Sequence, residues 1–207
     1  MDYSTNNIEY TDEFELLLKA EGEKAEAMSI LHMKGHNYFN TLSVAINIPV
    51  IVLSSFIGFL STLELFPEQN IFLGIMSILV GVLKTLDSFF DWTKRGEAHR
   101  LTGLNYAKIS KFIQLQLCLE KDVRINASDL YDVIVNDLQN LKDQEPIITD
   151  SIIMQFKKQY GDTHATALPT ICNGLTKITI NKKALKGINL PVPSPAKLTT
   201  VSTTLEV

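Results

Sequence analysis

The sequence predicts an all-α membrane protein: a two-span transmembrane helical hairpin, long amphipathic helices extending from it into the cytoplasm, and a Pro/Thr/Lys-rich C-terminal tail. Three observations carry that prediction. Residues 41–63 read TLSVAINIPVIVLSSFIGFLSTL without a charge, and at about 1.5 Å per residue these 23 positions reach roughly 34 Å, enough to cross the hydrocarbon core of a bilayer. A second apolar run follows from Asn70, IFLGIMSILVGVL, and extends to Phe90 past its first charges at Lys84 and Asp87. Only ELFPEQN separates the two, which suits a tight hairpin. A soluble hairpin buried in a large core is the alternative, but the remaining chain holds too little apolar surface to cover two such helices on all sides.

The chain divides at composition changes into an N-terminal amphipathic helix (1–40), the two-span hairpin (41–92), a cytoplasmic helical region (93–160) and a tail or partner-binding arm (161–207). The first ten residues are polar and irregular. The opening MDYSTNNIEYTDEF is acidic and lacks the basic start of a secretory leader, so no cleavable signal peptide is expected. Thr11 is placed to cap a helix whose first turn holds Asp12 and Glu13, where the helix dipole favours negative charge. Phe14, Leu17, Leu18, Ala25, Met28 and Leu31 then recur at helical spacing. His32 and His36 stand one turn apart, but no third ligand completes a metal set, and they read as polar residues near the interface.

Pro49 falls inside the first span, where neighbouring helices or hydroxyls can satisfy the carbonyl it frees, so a kink is expected there and not a break. Orientation follows from the basic residues near the span ends. The loop has none, residues 21–40 supply Lys24 and Lys34, and residues 91–110 supply Lys94, Arg95, Arg100 and Lys108. Both termini are therefore expected in the cytoplasm.

After the second span, helix is expected to continue to about Glu120, with Leu101, Leu104, Ile109, Phe112, Ile113 and Leu119 as a stripe that needs the N-terminal helix as partner. Ser128 is placed to cap a helix to about Lys142, with Leu130, Ile134, Leu138 and Leu141 on one face. A last helix runs near 150–160, beyond Pro146. From Gly161 onward five lysines face two acids among many threonines, and most of the prolines gather here, including Pro191-Val-Pro-Ser-Pro195. A short strand at 175–180 is possible in this tail, which otherwise reads as an arm for a protein partner.

The net charge of −4 conceals a separation: residues 1–40 carry −5 and residues 92–124 carry +4, a basic stretch beside the inner leaflet that suits anionic lipid. Cys118 and Cys172 are isolated thiols, consistent with a reducing compartment. No Walker loop, dinucleotide glycine fingerprint, HExxH or Gly-x-Ser-x-Gly is present, so no enzyme activity, catalytic residue, cofactor or metal ligand is assigned, nor a nucleic-acid partner.

The informative positions lie in the spans. Gly74, Ser77, Gly81, Lys84 and Ser88 share one face of the second helix, and Ser54, Gly58 and Thr62 step by four along the first. Such stripes either pack the hairpin, or pack hairpins into a homo-oligomer, or line a polar path. Lys84 motivates the last reading, since an intramembrane charge is costly unless it is paired, snorkelled or wet. Asp87 stands at pairing distance along the helix, and Lys84 is also close enough to the boundary to snorkel.

At the exit of the second span, Glu97-Ala-His99-Arg100 is followed one heptad later by Tyr106. With the long first helix, the hairpin and the helices that follow, residues 11–160 resemble the SLATT family of two-transmembrane proteins associated with SMODS/SLOG nucleotide-sensing conflict systems. The resemblance implies a pore-forming or membrane-perturbing effector, with His99 and Tyr106 as the matching motif positions and no assigned chemistry for either. The Thr/Pro/Lys tail departs from that family and leaves a second expectation open. This is a structural membrane anchor or assembly protein, for example of a large virus particle, docking partners through its cytoplasmic helices and tail.

Overall fold

The computed structural model describes residues 8–63, 67–161 and 167–174, and every regular element among them is helical. Helix α1 is Asp12–Leu60, α2 is Gln69–Phe90, α3 is Trp92–Cys118, α4 is Ala127–Gln144, α5 is Asp150–Tyr160 and α6 is Thr170–Asn173, with a single 3-10 turn at Lys121–Val123. The strand considered at 175–180, the Pro191–Pro195 run and the bulk of the proline-rich arm lie outside the described residues, as does most of the irregular start.

Thr11 caps α1 as its position demands, accepting from the Phe14 amide at 3.2 Å. The helix then runs unbroken for 49 residues with Pro49 inside it. At its far end Ser61 and Thr62 bond back to their own helix, and the Gln69 side chain donates to the carbonyls of Leu60 and Leu63. The first residue of α2 thus adds a side-chain donor to carbonyls at and just beyond the end of α1, where the regular helical bonds run out.

Two expectations are corrected. Helix does not pass continuously from the second apolar stretch into the helical region that follows: Asp91 adopts the left-handed conformation (φ 49°, ψ 41°) and ends α2, and α3 starts at the next residue. Aspartate tolerates this region better than most non-glycine residues. The cap of α4 is Asn126, whose side chain accepts from the Ser128 amide at 3.0 Å. The Ser128 hydroxyl instead receives the Ile8 amide, tying the chain's start to α4.

The N-terminal half of α1 is covered from two directions. On one side Leu18 and Ala25 pack with Tyr106, Ile109 and Ile113 of α3 and with Leu130, Ile134 and Leu141 of α4. On the other, Ala27 and Leu31 pack with Ile148, Ile152 and Phe156 around α5 and with Cys172 of α6. The α4 face expected from periodicity is the one buried. The α3 stripe is covered only in part: Ile109 and Ile113 are buried and Phe112 packs against them, but Leu101, Leu104 and Leu119 are exposed, and the covered face continues instead through Gly96, His99, Thr102, Gly103 and Tyr106. Glycine and histidine bring α3 closer to α1 than leucines would allow.

That approach has a regular register. On α1 the positions Leu18, Gly22, Ala25, Ser29, His32, the half-buried His36, Phe39 and Ser43 keep the alternating four–three steps of a coiled-coil seam. Their partners run antiparallel on α3: Gly22 meets Ile113, Gly103 meets Ser29 and His32, Gly96 meets Phe39, and Ser43 bonds Thr93. The seam is thus polar and small where a soluble coiled coil would be leucine-rich.

Candidate functional site: an uncovered hairpin and a buried histidine seam

Two helices are long and apolar enough to cross a membrane, and the chain hardly covers them: 11% of the apolar stretch on α1 and 6% of that following Gln69 is buried. A core helix of a soluble protein would be largely covered. Ile48, Ile51, Val52, Phe56 and Phe59 on α1 and Ile71, Ile75, Ile78, Val82 and Phe89 on α2 all stand exposed.

The small-residue stripes point away from the hairpin's own seam. A Cβ placed on Gly58, Gly74 or Gly81 meets nothing within 4 Å. Ser54, Thr62, Ser77 and Ser88 are exposed as well, Thr62 bonding the Phe59 carbonyl and Ser77 the Leu73 carbonyl of their own helices. The buried positions are others: Ser43, Val50 and Leu60 on α1, and Gln69 and Leu73 on α2. Of the roles open to the stripes, close packing within one hairpin is not the one these glycines serve.

Lys84 does have protein partners. Its Nζ lies 2.9 Å from Asp87 Oδ2, the pairing expected from spacing, and it also donates to Asn47 Oδ1 at 2.8 Å. Asn47 donates in turn to the Ser43 carbonyl at 2.9 Å, and the Ser43 hydroxyl is 2.9 Å from that of Thr93. A polar ladder therefore joins α1 to α2 and α3 where the apolar hairpin meets the helices that follow it. Asp87 is mostly covered while the lysine remains half open. Asn47 was not singled out in the sequence because its partner lies 37 residues away, and only the hairpin register brings them together.

The second site is buried except at its carboxylate, Glu145. His32 on α1 and His99 on α3 place their Nδ1 atoms 3.0 Å apart, and both residues are buried. Phe39 stacks on His99 at 5.4 Å between ring centres, and Tyr106 stacks on His32 at 5.7 Å. The Tyr106 hydroxyl donates to Glu145 Oε2 at 2.6 Å, and the same carboxylate oxygen lies 3.7 Å from His32 Nε2, which has no hydrogen-bond partner of its own. Gly35 makes room for the pair, since a Cβ there would lie 2.8 Å from His99 Nδ1.

The environment sets the charges. Burial first, then the neighbouring His32 and His36, push the His99 imidazolium down to about 4. Burial also raises the Tyr106 hydroxyl, reinforced by its bond to Glu145. Burial opposes ionisation of Glu145, but the neighbouring His32, the hydrogen bond from Tyr106 and the charge of Lys142 outweigh it, leaving the carboxyl below its ordinary value. The heptad spacing of His99 and Tyr106 is realised as a shared face, but both turn on His32, and the Glu145 that completes the cluster comes from the end of α4. His36 turns elsewhere, its Nδ1 3.0 Å from the Gly96 carbonyl. Among the described residues no three His, Cys, Asp or Glu side chains gather as a metal site.

No family model, curated protein or solved structure matches the chain.

Proposed function

We propose that the chain is a two-span membrane protein, both termini cytoplasmic, whose hairpins associate through their small-residue faces, and that the assembly forms or regulates a pore without enzymatic chemistry. The observation that carries this reading is the combination on α1 and α2 of uncovered apolar side chains with glycines whose surroundings are open. Apolar surface of that extent belongs against lipid or another protein. Gaps at Gly58, Gly74 and Gly81 are where a second helix backbone can approach closely. The half-open Lys84, held by Asn47 and Asp87, supplies a charged position at the cytoplasmic end of such a bundle. The resemblance of Glu97–Arg100 and Tyr106 to the SLATT pattern favours the same reading.

Three measurements on the full chain test it. Asn126-Ala-Ser128 is an acceptor sequon on the exposed start of α4. With cytoplasmic termini it stays unmodified in a eukaryotic cell, and a glycan at Asn126 would reverse the topology. Mass in detergent should exceed that of one chain, and reconstituted protein should make liposomes permeable to ions. A monomer that leaves liposomes tight would overturn the pore and leave a membrane anchor, for which truncation after Gly174 should abolish partner capture.

A further inference from the structure

We infer that the buried His32–His99 pair is a one-proton receptor that, on mild acidification, locks the end of α4 onto α1. The inference holds whether or not hairpins associate. Two neutral imidazoles facing each other through Nδ1 at 3.0 Å must divide roles, one donating and one accepting. His32 Nε2 faces the Glu145 carboxylate, and a lone pair there would oppose a negative oxygen, so Nε2 carries the hydrogen. His32 Nδ1 is then the acceptor and His99 Nδ1 the donor.

One additional proton fits this arrangement without breaking the bond. A proton from solvent ends on His99 Nε2, the His99 Nδ1–H bond breaks as a His32 Nδ1–H bond forms, and His99 remains neutral in its other tautomer. The charge now rests on His32, whose Nδ1–H donates to His99 while Nε2–H points at Glu145. At 3.7 Å that nitrogen has no hydrogen-bond partner, and the new charge gives it reason to close on the carboxylate. A second proton is different. It sets two N–H groups against each other and breaks the contact, in keeping with the depressed value of His99.

Every side of the pair is accounted for. From α1, His36 lies near enough to disfavour charge on His99; from α3 come His99 itself and Tyr106, whose hydroxyl already holds Glu145; from α4 come Glu145 and Lys142. The α5 groups turned toward α1 are apolar, Ile152 and Phe156, while its Gln159 holds Lys34 and the buried Cys172 of α6 sits in their cluster. Among the described residues Glu145 is thus the carboxylate placed to reward a proton on His32, and it stands where α4 ends and the link to α5 begins.

Full-length protein in detergent, with 15N-labelled histidines assigned by single substitutions, tests the inference between pH 8 and 4. His32 should become doubly protonated in one step while His99 changes tautomer and stays neutral. Over that step, amide exchange at residues 141–148, corrected for the intrinsic effect of pH, should slow several-fold. Both rings staying neutral to pH 4, charge appearing on His99 instead, or unchanged exchange at 141–148 would each overturn it. Glu145→Gln, which keeps an acceptor for Tyr106, should move the step to lower pH and abolish the slowing; a step at the wild-type pH would equally sink the proposal. Should that variant not fold, the wild-type tautomer exchange alone decides.

Discussion

His99 and Gly35 stand so close that the backbone of α1 forms one wall of the imidazole's site: a methyl group on residue 35 would sit 2.8 Å from His99 Nδ1. The partner atom is part of a ring fixed by Phe39 and His32, so it has nowhere to retreat. Gly35→Ala should therefore lower stability by about 1–3 kcal/mol, the usual cost of overpacking, despite alanine's better helix propensity. Denaturant titration in detergent, read by circular dichroism, measures it.

The glycines of the hairpin should behave in the opposite way. Gly74→Ala and Gly81→Ala add a methyl group to open space in the single chain, where about 1 kcal/mol of helix propensity favours the change. If the stripes hold hairpins together, the same methyls wedge the backbones apart. Mass in detergent should shift toward the monomer while the melting temperature of the monomer is unchanged or higher; an unaltered oligomer would separate these glycines from assembly.

Lys84→Leu removes the cation shared by Asn47 and Asp87 and leaves a largely covered carboxylate without its partner. The expected outcome is a weaker oligomer or altered conductance, with Lys84→Leu/Asp87→Leu closer to the parent than the single variant. A silent Lys84→Leu would mean that the lysine only snorkels.

Stability should depend on pH from both ends. An unfolded histidine binds its proton near 6.5, whereas His99 resists until about 4, so between these values the unfolded state holds more protons and acid weakens the fold. Glu145 acts in the same sense further down: its contribution is full above the unfolded value of 4.5 and is lost as pH falls through its depressed one. Tyr106, with its hydroxyl raised, stabilises fully below 10, and that contribution is lost as pH rises through the folded value. Thermal melts across pH should show decline on both flanks, and Tyr106→Phe should remove its part of the alkaline loss.

Asp91→Gly should preserve the joint between α2 and α3, since glycine enters the left-handed region freely, whereas Asp91→Val should cost about 1–3 kcal/mol or straighten the junction. Hydrogen exchange at residues 88–95 distinguishes the two.

What was legible in the sequence is what periodicity and capping encode locally. The Thr11 cap, the α4 face and the bounds of α5 followed from composition and spacing over a turn or two. The face of α3 did not, because Leu101 and Leu104 are more apolar than Gly103 and His99, and only the partner helix decides which face is covered. Likewise His32 appeared beside His36, its neighbour by one turn, when its counterpart lies 67 residues away. Asn47 with Lys84, and Tyr106 with Glu145, were illegible for the same reason: each contact is fixed by antiparallel register and chain reversal, which a local pattern does not contain.

The two legs of the molecule differ mechanically. α1 is a single rod of 49 residues, about 74 Å at 1.5 Å per residue, and it carries both the histidine seam and the first apolar stretch. The returning leg is cut at Asp91, where one residue interrupts the helical twist between α2 and α3. His32 and Leu60 therefore belong to one continuous helix, joined through Pro49. α2 is tied to it sideways, by Lys84 at one end and Gln69 at the other.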